Sequence, residues 1–209
     1  CALPISGDVT IKGKSIKSLK QKELAQEIAT VHQQNTVPSD ITVKELVYYG
    51  RIPRKKYFQG NSNEDEEIVE WAIKRTGLEK LKDKSVMSMS GGERQRAFIS
   101  MALAQKPKIL FLDEPTTYLD IFHQIEILEI VKKLNKDNGL TVVMVLHDIN
   151  QAIKYSHNIV VMKDGKIVKE GKSENVINEN LLKEVYKVNG VINKCKETGE
   201  TYFIPKTIC

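Results

Sequence analysis

The run Lys108-Ile109-Leu110-Phe111-Leu112-Asp113-Glu114-Pro115 decides how the rest of the chain is read. It is an apolar stretch of strand length that ends in two adjacent carboxylates. A run apolar at every position, rather than at every second one, predicts a strand buried on both faces of a parallel sheet. Carboxylates just past its end lie at the edge where open α/β sheets bind ligands. An aspartate there is placed to hold Mg²⁺, directly or through water, and a glutamate one residue on to polarise a water in phosphoryl transfer. Taken alone, Asp113 and Glu114 read equally well as a pair of solvated carboxylates.

Outward from this run the pattern repeats. Thr141-Val142-Val143-Met144-Val145-Leu146 is a second buried run, ending in His147-Asp148, and the helical stretch between the two predicts a βαβ crossover. Further on, 158–163 and 166–169 read as the arms of a hairpin around Asp164-Gly165. On the other side, Ser90-Gly91-Gly92-Glu93 has the capping-box spacing and opens a helix over 90–104. Two glycines at a helix start leave backbone N–H groups unshielded, and these favour an anion. An ordinary glycine-rich cap is the plainer reading of the same residues. Helical spacing also predicts helices over 64–75, 43–50 and 21–29, the last followed by an extended segment at 30–32. Residues 35–42 read as a loop, and 51–63 as a basic, exposed connection. Val9 and Ile11 alternate with polar residues before Gly13, a short strand and turn.

Composition sets the outer bounds. The 209 residues are 41% hydrophobic and 28% charged, ordinary for a soluble globular domain. The net charge of +5 is spread along the chain, which reads as a solvated surface and no nucleic-acid partner. Cys1, Cys195 and Cys209 have no metal-ligand spacing, as in a reduced cytoplasmic protein with incidental thiols. No apolar run approaches the ~20 residues that span a bilayer. No signal peptide is evident either, so membrane association is expected through a partner. The first residue is Cys1, so the chain reads as processed, trimmed or taken from an incomplete gene.

Together, in this order, these segments resemble the ATP-binding-cassette (ABC) family. Ser90-Gly91-Gly92-Glu93 matches its signature motif, with Glu93 where Gln is usual. The stretch 109–113 matches the Walker B strand, and Glu114 the catalytic glutamate. Tyr118-Leu119-Asp120 matches the D-loop and His147 the switch histidine. The Q-loop glutamine is Gln33 or Gln34; the run Ile28-Ala29-Thr30-Val31-His32-Gln33, with Thr42-Val43 beyond, favours Gln33. The resemblance covers 7–205. It implies an α/β, P-loop NTPase-like ABC nucleotide-binding domain with a helical subdomain, missing its N-terminal strands and P-loop. Within one partial domain over 1–209, the helical and signature part is expected at about 36–100. The Walker B, D-loop and H-loop core then falls at about 101–170, and a C-terminal extension at about 171–209.

The resemblance also implies roles. Two copies would pair head to tail around ATP and Mg²⁺. Asp113 and Gln33 would serve the metal, Glu114 the water and His147 the γ-phosphate. Ser90, Gly91, Gly92 and Glu93 would face the other copy's nucleotide, with Asp120 communicating across the pair. A transmembrane permease would dock near 36–58 at the cytoplasmic face of the membrane, supplied indirectly by a substrate-binding protein. Asp40 to Val47 with Gly50-Arg51-Ile52-Pro53, Thr116 to Gln124 and Leu146 to Ala152 are similar to the branch that imports iron–siderophore complexes, haem and cobalamin. The other readings are a cassette importer of another substrate, a soluble cassette ATPase and a non-catalytic remnant.

A P-loop needs G-x-x-x-x-G-K-[ST] between a strand and a helix. Gly13-Lys14-Ser15 has the right tail, but Asp8 stands where the first glycine belongs and Val9-Thr10-Ile11 is a strand pattern. The resemblance therefore places the phosphate-binding loop upstream of these residues, and the 209-residue chain alone is expected to hydrolyse ATP negligibly.

Overall fold

A computed structural model of the chain describes residues 7–38, 40–55 and 60–209. The chain divides into two compact units, Cys1–Val145 and Leu146–Cys209.

The first unit opens with β1 (Thr10–Ile11) and β2 (Lys14–Ser15), paired antiparallel with Ile11 opposite Lys14. Lys12 and Gly13 both take positive φ, 51° and 76°, as a tight two-residue hairpin requires. Gly13-Lys14-Ser15 therefore lies on a turn and a strand. The Ser15 hydroxyl donates to Asp8 Oδ1 at 2.7 Å, so this segment is no phosphate-wrapping loop.

Helix α1 (Gln21–Glu27) runs directly into β3 (Ile28–Val31). The expected helix to residue 29 stops two residues early because Ile28 and Ala29 pair with β4. Lys108 N donates to Glu27 O where the two strands begin. β3, β4 (Ile109–Asp113) and β5 (Thr141–Val145) form a parallel sheet in that order, with α5 (Ile121–Asn138) as the crossover from β4 to β5. Val31 pairs with Leu112, and Asp113 with Val145, so the carboxyl ends of all three strands share one edge.

The strands are not covered on both faces as their apolar runs predict. Leu110 and Leu112 are buried, whereas Phe111 is 38% exposed and Val143 and Val145 are 45% and 49% exposed. Side chains alternate across a sheet, and the helical layer packs on the face that carries Leu110 and Leu112. Asp113 shares the other face with Phe111.

That helical layer contains α2 (Val43–Tyr49), α3 (Asn63–Arg75) and α4 (Gly91–Ala104). Each starts on the same device: Thr42 with Glu45, Ser62 with Asp65, and Ser90 with Glu93 all form capping boxes. Leu46, Ile73, Ile99 and Leu103 interlock with Leu134 of α5 in one core. At Gly50 an added Cβ would lie 2.0 Å from Met101 O, so glycine lets α2 end directly against α4.

The expected exposed connection at 51–63 is anchored at its start. Arg51 is 4% exposed, its Nε donating to Asp65 Oδ1 at 2.7 Å and a guanidinium nitrogen to Ala104 O at 2.7 Å. A guanidinium removed from water is tolerable only with such partners. Arg54 reaches the carbonyls of Gln26, Gln105 and Lys106. The expected permease-docking stretch 36–58 falls partly on residue 39 and residues 56–58, outside the described residues.

The second unit holds α6 (Ile149–Tyr155), the hairpin of β6 (Asn158–Lys163) and β7 (Lys166–Lys172), and the hairpin of β8 (Val188–Lys194) and β9 (Thr201–Ile208). Its core is Ile153, Val161, Val176, Ile177, Leu181, Leu182 and Phe203. Among the described residues no helix is long and apolar enough to cross a membrane.

Candidate active site

The sheet edge gathers Gln33, Asp113 and Glu114. Gln33 follows β3 by two residues and donates from Nε2 to Glu114 Oε2 at 2.6 Å, across 81 positions of sequence. The same carboxylate oxygen accepts from the Thr117 hydroxyl at 3.1 Å, and Thr117 N donates to Glu114 O at 3.2 Å. Glu114 adopts φ of 49°, a left-handed conformation costing an ordinary residue about 1–2 kcal/mol. The turn that carries the strain lifts the carboxylate from the strand axis toward Gln33.

Asp113 ends β4 with an exposed side chain. With Nε2 of Gln33 given to Glu114, the amide oxygen of Gln33 keeps its lone pairs for another partner. One carboxylate and one amide oxygen are hard donors of the kind Mg²⁺ takes alongside waters and substrate phosphates. The residues present therefore fit the ion as part of its ligand set. They supply no complete protein cage, since no group of three or more acidic, His or Cys residues comes together among the described residues.

A second group forms at the start of α4. The Ser90 hydroxyl accepts from Glu93 N at 3.3 Å, and Glu93 Oε2 accepts from Ser90 N at 2.9 Å. That backbone N–H, followed by the Ser90 hydroxyl, holds the Glu93 carboxyl below its usual range despite opposing burial. Glu93 thus turns back to brace the cap, while the adjoining N–H groups of Gly91 and Gly92 belong to the first turn, whose donors lack intrahelical partners. Asp120 caps α5, accepting from His123 N at 3.0 Å. Gly91 packs toward Leu119, which joins the Tyr118-Leu119-Asp120 turn to this second group rather than to the first.

His147 lies in the second unit, one residue after its first, exposed and immediately before Asp148, the N-cap of α6. Sequence reading missed Thr117 as a partner of Glu114. It stood in a quoted segment, but only the closure of the turn brings its hydroxyl back to the carboxylate.

The sequence profile of the ABC transporter family matches residues 2–117, more than half of the chain. The chain belongs to the ABC transporter family. Curated relatives include the petrobactin import ATP-binding protein FpuC of Bacillus anthracis, 44% identical over 97% of this chain and 74% of the relative. The ferric enterobactin transport ATP-binding protein FepC of Escherichia coli is 42% identical over 97% of this chain and 74% of its own. The iron(3+)-hydroxamate import ATP-binding protein FhuC of Bacillus subtilis is 42% identical over 90% and 70%. Among solved structures, a metal-chelate type ABC transporter in an inward-facing conformation superposes with a TM-score of 0.80 at 26% identity, over 86% of this chain and 72% of that one. The ATP-binding cassette MJ0796, a dimer in a post-hydrolysis state bound to ADP and Pi, gives 0.68 at 33% identity, over 81% and 75%. The mixed α/β cassette fold with its helical subdomain agrees with the sequence expectation.

Proposed function

We propose that this cassette is part of the ATP-hydrolysing subunit that powers import of iron–siderophore complexes. The family supports nucleotide-driven transport, and the named relatives, at 42–44% identity, are ATP-binding proteins of siderophore and iron-hydroxamate uptake. The observation that carries the catalytic part is the 2.6 Å bond from Gln33 to Glu114 at the ends of two paired parallel strands.

In this reading Glu114 accepts the proton of the attacking water, and Gln33 and Thr117 hold its carboxylate in place. Asp113 and the Gln33 amide oxygen would bind Mg²⁺, which neutralises phosphate charge when present. His147 donates to the γ-phosphate, a role resting on the resemblance. The N–H groups of Gly91 and Gly92, with the Ser90 hydroxyl, meet the γ-phosphate held by a second copy. Two separate groups on one chain, strand ends and helix start, suit a head-to-tail pair in which each site is completed by the partner. By the resemblance, Asp120 communicates across that pair. A transmembrane permease and, through it, a substrate-binding protein complete the assembly at the cytoplasmic face of the membrane.

The test is Glu114→Gln in the complete subunit assembled with its permease. ATP turnover should fall by about 10²- to 10⁴-fold, with ATP binding retained and ferric-siderophore uptake lost. Unchanged turnover removes Glu114 from its role, and wild-type turnover that ferric siderophore leaves unstimulated rejects the cargo.

A further inference from the structure

The two glycines that start α4 are seated against the turn and first coil of α5. A Cβ at Gly91 would lie 3.2 Å from Leu119 Cδ2. At Gly92 it would lie 2.4 Å from Cγ, 2.6 Å from Nδ1 and 2.8 Å from Cβ of His123, closer than real side chains pack. Gly92 has ordinary helical backbone, so its conformation does not demand glycine. The imidazole of His123 does.

That ring is itself fixed. Its Nδ1 lies 3.2 Å from Glu126 Oε2, and since a carboxylate only accepts, Nδ1–H donates. Glu126 is ion-paired with Arg96, which is 7% exposed and one turn beyond Gly92 on α4. The backbone of His123 is tied to Asp120 Oδ1 at 3.0 Å. Gly92, His123, Glu126 and Arg96 thus close a ring of contacts between α4 and α5, with Asp120 attached to it.

We propose that His123 is a positioning residue that locks the Ser90–Gly92 turn to the Asp120 turn, so that the two move as one body. This rests on the catalytic reading above, in which the Ser90–Gly92 turn meets the partner's nucleotide. Shortening His123 frees that turn to drift by fractions of an ångström at the helix N-terminus, leaving the Gln33–Glu114 group as it is.

In the complete subunit assembled with its permease, His123→Ala should lower kcat roughly 10- to 100-fold. The isolated subunit's affinity for ATP should be unchanged, and His123→Gln, which can still donate to Glu126, should restore much of kcat. Independently, thermal unfolding of the 209-residue chain should show Gly92→Ala lowering Tm by about 5 °C. Adding His123→Ala should return most of that loss. Unchanged kcat in His123→Ala, or Tm losses that simply add, overturns the inference. An assembly whose wild type turns over no ATP counts against the catalytic reading instead, and the Tm cycle then decides this inference alone.

Discussion

At the tip of the β8–β9 hairpin, Cys195 N donates to Glu200 O and Gly199 N to Cys195 O, both at 2.8 Å. Hydrogen bonding from the Thr198 side chain, then from the Thr198 and Glu197 backbones, lowers the Cys195 thiol below its ordinary pKa. A lowered pKa means more thiolate at neutral pH, and the thiolate is the nucleophile. Alkylation of Cys195 near pH 7 should therefore be faster in the wild-type chain than in Thr198→Ala, with the difference narrowing as pH rises past about 8.5. Mass spectrometry of a timed iodoacetamide reaction reads this directly, and equal labelling at neutral pH refutes it. The sequence displayed Cys195 as a bare thiol, because the turn that stabilises its anion exists only once β8 and β9 pair. The place of Asp113 and Glu114 at a strand end was legible earlier because the apolar run before them marks it. The contacts of Thr117 and His123 were not, since each is set by chain folding.

Elements with their own signals were read closely. The Ser90–Glu93 capping box marked the start of α4 from sequence, and helical spacing placed α2 and α3, whose own capping boxes the structure shows. Where the signal was tertiary it misled: α1 gives up Ile28 and Ala29 to a strand whose partner lies 81 positions away. The apolar runs of β4 and β5 could not reveal that a single face would be covered. Asn150 of α6 is a further tertiary device. Its side-chain amide donates to Phe203 O at 3.1 Å and accepts from Phe203 N at 2.7 Å, acting as a one-residue strand partner for β9. Asn150→Ala leaves both backbone groups without that partner and should cost about 1 kcal/mol. Amide hydrogen exchange at Phe203 should then quicken about fivefold; an unaltered rate would show the bond to be idle.

At the scale of the whole molecule, the capture of nucleotide is the question. The 209 residues contain no G-x-x-x-x-G-K-[ST] run, and Gly13-Lys14-Ser15 is built into a hairpin. Among the described residues no such loop offers backbone N–H groups to wrap β- and γ-phosphates at the strand-end group. Calorimetry of this chain with Mg-ATP should give affinity weaker than micromolar, and a micromolar constant would overturn that expectation. The fold class was legible from the order of its motifs, whereas the division at Val145–Leu146 was not, because it falls inside the apolar run that ends at Leu146, without any change of composition.

The left-handed backbone of Glu114 has one more consequence, on the scale of descent. Glycine would occupy φ of 49° without penalty, so backbone conformation alone disfavours glutamate at this position. On the catalytic role proposed above, selection for turnover is what would hold it there. In a lineage released from that selection, drift should erase Glu114 well before the buried Leu110 and Leu112 beside it, which folding continues to protect.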